Sequence, residues 1–289
     1  MKEIFGSLLG RVLEEDLIMT NLTAKFRCIA SHICLVVVAH AFLVFSVGYA
    51  QECPPLYTFT GESDGNNFGH SVSGAGDVNG DGYDDVIVGE FGDPYAWGST
   101  WPGQAYVYSG QSGTLLWTFT GEAINDFFGF SVSGAGDVNC DDYDDVIVGA
   151  YLNDAGGTWA GRAYVYSGQT GTLLWTFTGG ETYNWVGHSV SGAGDVDNDG
   201  YADLIVGAPR VGVNTGRAYV YSGQAGGLLW SFTGEAMHDH FGSYVSGAGD
   251  VNGDGYPDVI VGAMANDAGG YDAGRAYVYS GQTGGLLWA

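Results

Sequence analysis

The chain has 289 residues and a formal net charge of −25, from 33 acidic side chains against eight basic ones. A surface this acidic repels nucleic acid and anionic membranes, which excludes both as partners. Four cysteines, of which only Cys53 and Cys140 follow residue 50, are too few for a disulfide-stapled fold.

Residues 1–50 hold four basic and four acidic side chains, so residues 51–289 carry the whole charge with four arginines and no lysine. The segment 25–50, KFRCIASHICLVVVAHAFLVFSVGYA, reads as a secretory signal: Lys25 and Arg27, an apolar run, then Gly48 and Ala50. Cleavage after Ala50 leaves Gln51 as the new N-terminus, and Met19 is the more ordinary start. An uncleaved anchor is the rival reading, since about 20 apolar residues span a bilayer, but His32 and His40 interrupt the run. The expected organisation is thus a signal over 1–50 and one domain over 51–289, with no membrane insertion of the mature chain.

That domain repeats itself four times. The first unit opens with FGHSVSGAGD (68–77), followed by an acidic loop and the apolar run DVIVGE (85–90). After a variable Gly-rich stretch come GQAYVYSGQ (103–111) and TLLWTFTGE (114–122). Each unit therefore offers four short segments rich in Val, Ile, Tyr, Trp and Thr, punctuated by Gly, Asn, Asp and Ser, which predicts four strands. No apolar period of 3.6 is sustained, so no helix is predicted. In AYVY, Tyr106 and Tyr108 share one side of the strand and Ala105 and Val107 the other, whereas the Val-Ile-Val triplet at 86–88 is apolar on both sides. The latter suits a strand buried between two packed layers. The fold class is all-β, a β-propeller of four-stranded antiparallel blades; a linear solenoid has shorter repeats.

The acidic loop reads DVNGDGYDD at 77–85, DVNCDDYDD at 137–145, DVDNDGYAD at 195–203 and DVNGDGYPD at 250–258. Oxygen side chains at positions 1, 3, 5 and 9 suit a hard cation, with Ca²⁺ as the cofactor, up to four ions, one per repeat. The candidate ligands of the first loop are Asp77, Asn79, Asp81, the backbone carbonyl of Tyr83, and Asp85. The others are Asp137, Asn139, Asp141, Tyr143 and Asp145; Asp195, Asp197, Asp199, Tyr201 and Asp203; Asp250, Asn252, Asp254, Tyr256 and Asp258. Position 12 is valine in every loop (Val88, Val148, Val206 and Val261), which excludes an EF-hand. Gly82 supplies the sharp bend at position 6, and Asp142 in the second loop must adopt the same awkward geometry. Cys140 is a passive surface substitution, since thiolates suit softer metals.

LYTFTG at 56–61 matches the later part of LLWTFTG at 115–121, so the domain is expected to begin with the outer strand of a preceding unit. LLWA at 286–289 stops inside that same strand, which reads as a chain missing further units at its C-terminus.

These units resemble FG-GAP repeats, those of the integrin α-chain propeller and of many secreted bacterial proteins. The resemblance rests on Phe68-Gly69, Phe128-Gly129 and Phe241-Gly242, on the acidic loops, and on Gly207-Ala208-Pro209. Val186-Gly187 departs from it, and the Gly-Ala-Pro triplet is complete only in the third unit. The resemblance implies calcium in the loops and a larger, seven-bladed ring. Nothing in the chain is similar to the other integrin domains.

A search for chemistry finds no nucleophile elbow, zinc motif or phosphate loop, so no catalytic residue is assigned. His70 and His188 share one repeat position, where the other units carry Phe130 and Ser243, and read as decoration of the loop face. Asp93, Asp154 and Asp267 read as turn residues, and Arg162, Arg217 and Arg275 as partners of a loop carboxylate. The expected function is a secreted calcium-binding module for adhesion or ligand binding, with an extracellular protein or glycan as partner. Its contact surface is placed on the stretches 91–102, 151–160, 209–215 and 264–273, with Trp97, Trp101, Trp159 and Tyr271. The alternatives are a passive repeat of a larger surface protein and a propeller enzyme acting on polysaccharide or phosphate esters.

Overall fold

The computed structural model describes residues 56–61, 65–92 and 101–289. The signal segment, Cys53, Asp93 and Trp97 lie outside the described residues. Each repeat folds as one antiparallel four-stranded sheet whose strands pair in chain order. The first holds β1 (Ser71–Gly76), β2 (Asp85–Glu90), β3 (Gln104–Tyr108) and β4 (Leu115–Thr120). The second holds β5 (Phe128–Gly136), β6 (Asp145–Ala150), β7 (Arg162–Tyr166) and β8 (Leu173–Thr178). The third holds β9 (Ser189–Gly194), β10 (Asp203–Ala208), β11 (Arg217–Tyr221) and β12 (Leu228–Thr233). The fourth holds β13 (Phe241–Gly249), β14 (Asp258–Ala263), β15 (Arg275–Tyr279) and β16 (Leu286–Trp288). One helical turn, α1 (Val211–Asn214), occurs in the third β2–β3-type connection, and three of its four residues, Gly212, Val213 and Asn214, have left-handed φ near +60°. It is a turn rather than an α-helix.

The sheets stack face to face as propeller blades, and each of three apolar cores is shared by two neighbours. One core joins Ile87, Val107 and Phe119 of the first blade to Phe128, Val132 and Val148 of the second. The same positions join the second blade to the third and the third to the fourth. The doubly apolar segment behaves as its pattern requires: every residue of β6 and β10 is buried between two neighbours. The outer strand of each blade also leans on the next. Phe119, Phe177 and Phe232 stack on Tyr166, Tyr221 and Tyr279 at 3.9 to 4.1 Å between ring centroids. Trp117, Trp175 and Trp230 donate their indole N–H to the carbonyls of Gly168, Gly223 and Gly281 at 2.8 to 3.0 Å.

Close backbone approach sets the spacing between blades. A side chain at Gly89, Gly149 or Gly207, near the end of the second strand, would collide with the carbonyl of Gly129, Gly187 or Gly242 in the next blade. Those partners are the glycines of the Phe-Gly pairs, and their φ of +84° to +86° already calls for glycine. The requirement falls on the glycine. Val186 can therefore replace phenylalanine in the third unit and still be buried.

The two ends of the row show what the stacking buries. Val72 is 66% exposed, whereas its counterparts Val132 and Val190 are each 5% exposed against a preceding blade. At the other end Tyr244, 67% exposed, stands where Ser71, Ser131 and Ser189 accept an N–H from the following blade. Segment 56–61 corrects one expectation. It is irregular rather than a strand, because no described strand lies beside its backbone. Its side chains are nevertheless placed as expected: Phe59 stacks on Tyr108 at 4.0 Å, and Tyr57 donates to the carbonyl of Gln111.

The glycine contacts give a paired prediction. Gly149→Ala, which meets a backbone carbonyl, should cost on the order of 1–3 kcal/mol in equilibrium unfolding at fixed calcium. Gly262→Ala, whose added methyl would meet only Tyr244 at 3.7 Å, should be neutral or stabilise by up to about 1 kcal/mol.

Candidate metal centres

The acidic loops join the first two strands of each blade and lie together at one end of the sheets. Before each loop, a glycine with φ of +68° to +76° (Gly76, Gly136, Gly194 and Gly249) turns the chain out of its strand. The aspartate at position 1 then folds the loop around its own carboxylate. In the first loop Asp77 accepts the N–H groups of Gly80, Asp81 and Gly82 at 2.8 to 3.0 Å. Asp137, Asp195 and Asp250 accept the corresponding N–H groups of positions 5 and 6. Position 5 (Asp81, Asp141, Asp199 and Asp254) accepts the N–H of the tyrosine two residues on, Tyr83, Tyr143, Tyr201 or Tyr256. At position 6, Asp142 has a φ of +68°, as the sequence requires of it, beside +85° to +93° for the glycines of the other loops.

Position 9 differs from the rest. Asp85, Asp145, Asp203 and Asp258 are all completely buried. One oxygen of each accepts the N–H of the valine at position 2, at 2.8 to 3.1 Å. The other accepts the N–H of Gly110, Gly168, Gly223 or Gly281 in the turn between the third and fourth strands, at 2.9 to 3.0 Å. A single carboxylate therefore ties the loop to the outer half of its blade. The sequence suggests a metal ligand here but not this second task. Burial pushes Asp145 and Asp203 up to about 7 from 3.8, with the carboxylates at positions 1, 3 and 5 adding to the rise, and Asp85 is raised for the same reason.

The oxygens converge. In the third loop Asp195, Asp197 and Asp203 each place a carboxylate oxygen within 4.8 Å of the others, a spacing able to hold a metal ion. The other loops carry asparagine at position 3. Asn139 leaves its buried Oδ1 without a hydrogen-bond partner, and Asn79 turns its Nδ2 toward Asp85 at 3.2 Å. Each carboxylate has about four acceptor sites, so the oxygens that take an N–H keep capacity for a cation. Adjacent loops are also linked: the N–H groups of Asp144 and Ala202 reach the carbonyls of Asp77 and Asp137 at 3.1 and 2.9 Å. Pro257, which has no N–H, breaks that pattern in the fourth blade.

The remaining candidates sort themselves. Asp154 and Asp267 are turn residues, accepting the N–H of Trp159 and Asp272. Arg162 and Arg275 pair at 3.0 Å with Glu122 and Glu235 at the end of the preceding blade's outer strand. For Arg217 the equivalent position is Gly180, which corrects the expectation of a pair in every unit. Of the aromatics expected on the contact surface, Trp159 and Tyr271 are exposed and Trp101 is half-buried. The sequence reading missed a buried polar position two residues before each Phe-Gly: Asn66, Asp126, Asn184 and Asp239. Asp126 and Asp239 accept from Asn153 and Asn266, pinning the variable connection beneath its tip. Repeat alignment carries the signal, as a polar residue in register in all four units.

The FG-GAP repeat pattern matches residues 68–108, 128–166, 186–221 and 241–279. The chain belongs to the FG-GAP repeat family. It is 32% identical over 234 residues to integrin alpha-5 of Xenopus laevis, covering 75% of this chain and 22% of that one. It is 34% identical over 222 residues to integrin alpha-V of Gallus gallus, covering 71% and 21%. The match thus spans about a fifth of these curated relatives' length. No helix among the described residues of this FG-GAP propeller is long and apolar enough to cross a membrane.

The raised carboxylates set a pH dependence for the metal-free protein. A folded-state value near 7 against 3.8 means that protonation of Asp145 and Asp203 favours the folded state, so their contribution to stability is fully present below about pH 4 and is lost as pH rises through 7. Thermal melts in EDTA should therefore fall between pH 5 and pH 8 relative to melts in saturating Ca²⁺. That comparison cancels the histidines, which titrate in both conditions.

Proposed function

We propose that the chain is a secreted, calcium-stabilised propeller module that binds an extracellular protein or glycan through the loop face opposite the metal loops. The observation that carries the calcium reading is the convergence of Asp195, Asp197 and the buried Asp203. By repeat equivalence, positions 1, 3, 5 and 9 of every loop supply side-chain oxygens and the tyrosine at position 7 its carbonyl. Asn79, Asn139 and Asn252 serve through Oδ1, which in Asn139 already lacks a partner. A bound cation would return the position-9 carboxylates to their charged form and offset the repulsion among them.

The energetic scale is adequate for a structural ion. With a Kd of about 0.1 mM and free calcium of about 1 mM, each site contributes about 1.4 kcal/mol, and four contribute roughly 6 kcal/mol. That is comparable to the whole stability of many domains. The proposed role is binding rather than catalysis, a reading supported by the similarity to integrin alpha chains. The proposal of secretion rests on the signal-like sequence before Gln51.

The test is a binding screen of the immobilised chain against extracellular matrix proteins and a glycan array, run in calcium and in EDTA. Saturable ligands that are lost in EDTA and restored by Ca²⁺ are the expected result. Ligands indifferent to the chelator, or no ligand at all, would contradict the proposal.

A further inference from the structure

The acidic loops of neighbouring blades are joined through their backbones, and the joint is broken at the fourth blade. In the second blade Asp144, at loop position 8, donates its N–H to the carbonyl of Asp77, the position-1 residue of the first loop, at 3.1 Å. Its carboxylate accepts the N–H of Asp77 in return at 2.8 Å. In the third blade Ala202 holds position 8 and donates its N–H to the carbonyl of Asp137 at 2.9 Å. In the fourth blade the position is Pro257, which has no N–H to give. Packing persists at all three junctions, since a side chain at Gly76, Gly136 or Gly194 would meet Asp144, Ala202 or Pro257. Only the hydrogen bond is missing from the last.

Each link runs between two candidate metal sites. Position 1 is the aspartate around whose carboxylate its own loop folds. Position 8 immediately precedes the buried position-9 aspartate of the next loop, Asp145 or Asp203. The backbone of the first ligand in one loop is therefore fixed to the backbone beside the last ligand in the next. A cation that orders Asp77 also holds residue 144 and narrows the freedom left to Asp145. Ordering completed by one ion need not be repeated by its neighbour, which favours the second binding event. Repulsion between ions opposes this, but it acts through space at every junction and is screened over about 8 Å at physiological salt. The hydrogen bond acts at two junctions only.

We propose that Asp144 and Ala202 are positioning residues that couple calcium binding among the first three loops, while the fourth loop, behind Pro257, fills independently. The inference rests on the calcium reading given above and adds how the sites communicate.

The experiment is a calcium titration of the ¹⁵N-labelled chain followed by NMR at the amides of Gly82, Asp142, Gly200 and Gly255, each at position 6 of its own loop. Asp141→Asn disables the second loop. It should weaken calcium binding in the first and third loops about fivefold or more and change the fourth by less than about twofold. Ala202→Pro removes one N–H and no charge, and the fourth blade shows that the position accepts proline. In its presence Asp141→Asn should no longer affect the third loop. Pro257→Ala supplies the missing N–H, so Asp199→Asn, which spares the fourth loop of the unaltered chain, should then weaken it about fivefold. Native-like amide dispersion shows that each variant is folded. First and third loops unchanged or strengthened by Asp141→Asn, a fourth loop that responds as strongly as the third, or a third loop that still responds after Ala202→Pro would overturn the proposal. Calcium bound in all four loops without this pattern refutes the coupling alone; no calcium in any loop refutes the calcium reading with it.

Discussion

Each blade depends on one buried carboxylate. Asp85, Asp145, Asp203 and Asp258 sit where the acidic loop re-enters the sheet, and each holds the loop's start with one oxygen and the outer turn with the other. A charge in that position is costly, because burial disfavours it and further carboxylates of the same loop face it. The fold thus concentrates negative charge at the points where its strands are tied together. A divalent cation, as proposed above, would resolve that conflict without disturbing either hydrogen bond, since each oxygen retains acceptor capacity.

Stacking is the second constraint, and it belongs to the backbone. Adjacent blades meet where glycine crosses glycine, at Gly89 and Gly129, Gly149 and Gly187, Gly207 and Gly242. Around these crossings the outer strand of one blade places its Trp and Phe on the next, so no blade owns a complete core. The arrangement separates two ends of the molecule. Tightly determined acidic loops lie at one end, and variable connections lie at the other, anchored from below by Asp126 with Asn153 and by Asp239 with Asn266. A rigid frame with adaptable connections is the usual physical basis for placing recognition on loops.

Much of this was legible in the residues. The four-strand unit, the buried Val-Ile-Val strand and the left-handed geometry of Asp142 follow from period, burial pattern and backbone sterics, which are local properties. The loop oxygens were legible as a set because their spacing repeats. What the sequence did not reveal depends on which residues meet across sheets. The hydrogen bond from Gly168 to Asp145 joins positions 23 apart, and that from Trp117 to Gly168 joins positions 51 apart. The missing partner of Arg217 becomes intelligible only once Glu122 is seen to face Arg162, since the third unit has Gly180 at that place.

Calcium titration by calorimetry on the purified chain tests the central claim most directly. The account predicts heat with a stoichiometry approaching four ions per chain and, in the same samples, a melting temperature that rises with occupancy. A chain that takes up no calcium, and melts identically with and without it, would contradict the account.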